Sequence, residues 1–101
     1  METVNAISKV RFSSARPQVV QLHKSGTTHV ELLCMEPGQK LKMDKTPLVY
    51  YVITGSAEIS SKKQKATVQA GHTVSIDANE THAITSPAEG RLVCLVISPG
   101  H

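Results

Sequence analysis

No stretch of this chain sustains the 3.6-residue apolar repeat of an α-helix, and that constrains its fold more than any other feature. Short apolar runs are instead broken by turn residues roughly every 8–12 positions, the pattern of a β-sandwich or barrel. The runs predict strands at Val19–His23, His29–Met35, Gln39–Met43, Leu48–Thr54, Ala57–Ser60, Ala66–Gln69, Thr73–Ile76, Ala83–Thr85 and Arg91–Ile97. Between them lie Ser25-Gly26, Pro37-Gly38, Thr46-Pro47, Gly55, Gly71, and the stretches from Asp77 to Asn79 and Pro87 to Gly90. Strands this short and closely spaced leave no room for parallel crossovers, each of which needs about a dozen residues or more. The expected fold is all-β: a small antiparallel double-sheet jelly-roll barrel.

At 101 residues the chain is expected to form one domain, 1–101, with residues 1–16 serving as an N-terminal arm or an edge strand. Its core must be aliphatic, because there is no Trp, one Phe (Phe12) and two Tyr (Tyr50 and Tyr51). Val, Ile and Thr are plentiful, and their branched side chains suit strands.

The net charge of +3 is mild. Its one basic cluster, Lys62, Lys63 and Lys65, reads as a solvated hairpin tip, and three aromatics provide no stacking platform, so no nucleic-acid partner is expected. Cys34 and Cys94, each inside an apolar run, read as reduced core thiols. No run approaches the ~18 apolar residues of a membrane helix, and the first residues lack a signal-peptide pattern. The expectation is a soluble cytoplasmic protein with no membrane partner.

Three strands, His29–Met35, Leu48–Thr54 and Arg91–Ile97, are apolar at both alternating sets of positions. A sheet with one wet face should alternate. Burial on both sides predicts a homodimer, through an outward set of Leu33, Met35, Val49, Tyr51, Ile53, Val93, Leu95 and Ile97.

The turns carry a further pattern. Glu36-Pro37-Gly38 is followed by Lys42, Asp44, Leu48 and Tyr51-Val52-Ile53-Thr54-Gly55, then by Gly71-His72-Thr73-Val74-Ser75-Ile76-Asp77, Asn79 and His82. From about Val19 to Ser98 this resembles the two motifs of the cupin superfamily. The resemblance implies an open-ended barrel with the functional site inside, and a homodimer. It also places the family's two first-motif histidines on Lys42 and Asp44 and its glutamate on Leu48. Only His82 stands at a position resembling a metal ligand. Asp77, Asn79 and Ser86 replace the proline, the second glycine and the closing asparagine.

A divalent metal normally takes three or more imidazole and carboxylate ligands. Lys42 brings an ammonium and Leu48 brings nothing, so no metal and no cofactor are expected. The first reading is metal-independent binding of a small polar molecule inside the barrel, between Lys42, Asp44, Tyr50 and His82. The second is a small enzyme with Lys42 and His82 as catalytic candidates, acting with Asp44 by acid–base chemistry or with a weakly bound metal. The third is a structural or interaction module plugged by Leu32, Leu48, Val52 and Ile84.

Overall fold

The computed structural model describes residues 1–43 and 47–99. Among these described residues, a single 3-10 turn at Ile7–Lys9 is followed by nine strands. These are β1 (Gln18–Lys24), β2 (His29–Met35), β3 (Lys40–Met43), β4 (Leu48–Thr54) and β5 (Ser56–Ser61), then β6 (Lys65–Gln69), β7 (Thr73–Ile76), β8 (His82–Thr85) and β9 (Leu92–Ser98). All nine coincide with the expected strands to within one residue at each end.

The strands form two antiparallel sheets, one ordered β1-β2-β9-β4-β7 and the other β3-β8-β5-β6. Chain neighbours are often not sheet neighbours, so the chain winds back and forth between the layers as a jelly roll does. The tightest turn, from β4 into β5, needs Gly55. Its φ is +85°, and any Cβ there would collide with the Arg91 carbonyl oxygen.

Between the sheets lies an aliphatic core. Leu48, Tyr50 and Val52 project into it from β4, Leu92, Cys94 and Val96 from β9, and Leu33 and Met35 from β2. The second sheet contributes Ala57, Ile59 and Ile84. Strand β4 alternates as a two-layer fold requires, with Leu48, Tyr50 and Val52 buried and Val49, Tyr51 and Ile53 less so.

Two expectations about the outer face change. Leu33 and Met35 point inward, and Leu32 and Cys34 take the outward places. The register decides this: Leu33 lies opposite the inward Cys94, while Leu32 lies opposite Leu95. Leu32 therefore plugs nothing. The outer face is also not bare. Leu32, Cys34 and Val93 form a second buried cluster, covered by Val10 and Phe12 from the N-terminal arm and by Val20 and Leu22 from β1. Arg91 stacks its guanidinium 4.4 Å from the Phe12 ring centroid, and its Nε donates to Glu36 at 2.6 Å. The Gln39 side-chain amide donates to the Ser13 carbonyl at 2.7 Å. Residues before Pro17 thus form a pinned arm rather than an edge strand. The arm packs on the Leu32–Cys34–Val93 part of the face from which a dimer was expected, while Tyr51 and Ile97 on the same face stay exposed. Among the described residues, no helix is long and apolar enough to cross a membrane.

Candidate functional site

His82 begins β8 and is 2% exposed. It lies opposite Met43, and Ile84 lies opposite Leu41, so these four share the inward face. Across the core, the Tyr50 hydroxyl is 2.7 Å from His82 Nε2 and 3.2 Å from the Met43 sulfur. The two rings meet edge to face, with centroids 5.5 Å apart. His82 Nδ1 sits 3.4 Å from the Glu80 carbonyl. One assignment satisfies both nitrogens: Nδ1–H donates to Glu80, and Nε2 accepts the Tyr50 O–H. Burial, and secondarily the nearby Cys94, pushes the Tyr50 hydroxyl above its ordinary pKa, so it stays protonated and remains a donor.

The other expected site residues are not gathered there. Lys42 pairs with Ala83, one step out of phase with the Met43–His82 pair, and is exposed. It lies on the outer face of its sheet, away from His82. The Lys40-Leu41-Lys42-Met43 alternation carried this information: the apolar residues of such a strand face the core, and the lysines face water. Asp44 lies outside the described residues. The Lys42–Asp44–His82 trio is therefore not assembled, because Lys42 and His82 occupy opposite faces.

The cupin motif implies a metal at His82, and the residues present do not fit one. The ring nitrogen that would face an ion is taken up by the Tyr50 hydroxyl. That hydroxyl's other near neighbour is the thioether of Met43, and Leu48 has no donor atom. Among the described residues, no three His, Cys, Asp or Glu side chains converge. Cys94 is in the same core, its thiol pushed up to about 12 by burial and then by Cys34. Burial also raises Cys34, against an opposing pull from the backbone and charge of Arg11. Neither is a ready thiolate ligand at neutral pH.

Sequence reasoning missed an open cleft of about 600 Å3 beside this core. It lies where the two sheets part, between β5 with the β5–β6 hairpin on one side and β7 with the β7–β8 loop on the other. Its apolar surface comes from Ile59, Val74 and Ile76, which belong to or pack on the core. Lys62 and Lys63 stand on the hairpin wall, and Asp77 and Glu80 on the loop wall. That loop is held from within. Asp77 N–H donates to Glu80 Oε1 and Glu80 N–H to the Asp77 carbonyl, each at 3.2 Å, while Asn79 adopts a left-handed φ of 66°. The Glu80 carbonyl reaches His82, so the buried Tyr50–His82 pair and the cleft wall share one short segment of chain. The lysine cluster was visible in the sequence, but not that Lys62 and Lys63 line a cleft.

Two twisted antiparallel sheets wound in this order, with the site region between their edges, define a double-stranded β-helix, the fold of cupin and RmlC-like proteins. The chain superposes on a protein from Thermus thermophilus with a TM-score of 0.90, 18% identity and complete coverage of both chains. An RmlC-like cupin protein from Desulfovibrio desulfuricans gives 0.83 at 19% identity, covering 100% of this chain and 99% of that one. A cupin superfamily protein from Desulfitobacterium hafniense gives 0.81 at 20% identity, covering 93% and 86%. At these identities the likeness is one of fold. No family model and no curated protein matches the chain.

Proposed function

We propose that this cupin-fold protein binds a small polar organic molecule without a resident metal, in the cleft at the parted edges of its two sheets. The observation that carries this reading is the cleft itself. A volume of about 600 Å3, an apolar floor and a few charged groups at the rim are the ordinary makings of a small-molecule site. Deeper between the sheets, Leu48, Val52 and Ile84 pack around the Tyr50–His82 pair, which favours the cleft over the interior. The role of that pair is to hold the loop that walls the cleft.

The filled interior favours a second reading, a structural or interaction module. One experiment separates the two. Amide spectra of the labelled protein would be followed while a library of small polar molecules is added, alongside an Ala66→Trp variant. Ala66 is exposed and lines the cleft, so the indole should occupy the cavity without disturbing the core. Binding shifts are expected at Ile59, Val74 and Ile76, and should vanish in the variant. Hits that cluster elsewhere, or survive Ala66→Trp, would refute the cleft as the site. No hit at all would favour the module.

A further inference from the structure

Resting on that reading of the cleft, we infer that its ligand class is a short peptide with free termini, recognised by two opposed charged walls and by the open edge of β7.

The backbone argument comes from the ladder. Val52 N–H donates to the His72 carbonyl at 3.0 Å, and Gly71 N–H donates to the Val52 carbonyl at 2.8 Å. Antiparallel pairs alternate between bonded and non-bonded. Counting back from Val52 makes Tyr50–Val74 and Leu48–Ile76 the bonded pairs. Thr73 and Ser75 then direct their N–H and C=O groups away from β4. No further strand pairs with β7 among the described residues, and Ser75 lines the cleft. An unpaired donor and acceptor on one edge residue match the two groups of a peptide unit, the basis of strand addition.

The charges supply the ends. Lys62 and Lys63 on the hairpin wall suit a carboxylate. Asp77 and Glu80 on the loop wall suit an ammonium. No ion pair joins the two walls among the described residues, so neither pole is neutralised by the other. Ile59, Val74 and Ile76 between them suit an aliphatic side chain. A simple anion would leave the acidic wall facing it, and a sugar would leave both poles idle. A zwitterion with an amide at its centre uses every group named.

The test is an amide-shift titration of the intact protein with alanyl-valyl-alanine, repeated with the same tripeptide N-acetylated and C-amidated. The free tripeptide should move the signals of Lys63, Ser75 and Glu80. Blocking both termini should weaken binding about three- to tenfold, the range for exposed charge pairs. Lys62→Gln with Lys63→Gln should weaken the free peptide and leave the blocked one unchanged. Both changes are at exposed positions, and an unaltered spectrum elsewhere would verify the fold. Equal binding of free and blocked peptides would overturn the zwitterion class while leaving the cleft in place. Failure of the tripeptide where other library molecules still shift Ile59 and Val74 would overturn the peptide class alone. Failure of both would bring down the cleft reading and this inference together.

Discussion

The Tyr50 hydroxyl and His82 Nε2, 2.7 Å apart across the core, satisfy each other in a place that water does not reach. Removing the hydroxyl leaves the imidazole nitrogen buried without a partner, which costs more than the net worth of the hydrogen bond. Tyr50→Phe is therefore expected to destabilise the fold by about 1–3 kcal/mol in urea unfolding. Tyr51→Phe, on the exposed side of the same strand, should stay within about 0.5 kcal/mol of the parent. Equal effects of the two changes would show that the Tyr50–His82 contact contributes nothing.

Alkaline pH should weaken the fold through Cys94. Its thiol has an ordinary value of 9.0 and is pushed up to about 12 by burial. Between those values the unfolded chain has released the proton and the native chain still holds it. Stability due to this group is complete below pH 9 and falls as pH rises toward 12, by about 1.4 kcal/mol per unit. Tyr50, raised by the same cause, adds a loss above pH 10. Cys94→Val should flatten the curve over this range. Parallel curves for parent and variant would mean that the thiol is not desolvated.

The arm over the outer sheet should behave as part of the core. Phe12→Ala removes its contact with the Leu32–Cys34–Val93 cluster and the Arg91 stacking, and should cost about 2 kcal/mol for this partly buried ring. Deleting residues 2–16 should speed thiol labelling of Cys34 but not of Cys94, which faces the opposite side of the sheet. It should also cause self-association, visible in sedimentation, as the apolar face is uncovered. Unchanged labelling of Cys34 would show that the arm does not cover it.

Gly55→Ala should be severe. The φ of +85° and the adjacent Arg91 carbonyl leave no place for a methyl group, and a loss of about 2–3 kcal/mol or more is expected from strain and displaced backbone. Gly90→Ala, with no heavy atom near the new carbon, should be nearly silent. Comparable melting temperatures for the two variants would contradict the tight β4–β5 turn.

The strands could be read from the sequence because turn residues bound the apolar runs, and the cupin-like motif placed Tyr50 inside and Tyr51 outside, as the burial of Leu48–Thr54 bears out. What misled was the motif alignment: it set Lys42 at the position of a histidine that faces the barrel interior, yet Lys42 sits on the outer face. In β2, four apolar residues in succession, Leu32 to Met35, gave no alternation to read, and only pairing with β9 decides that Leu33 faces in and Leu32 out. The arm was illegible for a different reason. Val10 and Phe12 are isolated apolar residues, and their role depends on a surface built from strands far along the chain. The cleft was hidden too, since the sequence does not show where two sheets part.

The position of β9 governs how the molecule assembles. It is the central strand of its sheet, between β2 and β4, yet it follows every other described strand in the chain. Neither β2 nor β4 has its partner on that side until β9 has been made, and Phe12 waits equally for Arg91 and Val93. A nascent chain therefore carries two greasy half-sheets with open edges while it is being synthesised, a state prone to wrong pairings. Arrival of one seven-residue strand closes the sheet, draws the β1–β2 and β4–β7 pairs together and gives the arm its seat. Such closure ties remote segments in a single step, so folding should be slow and all-or-none, with the late strand acting as its trigger.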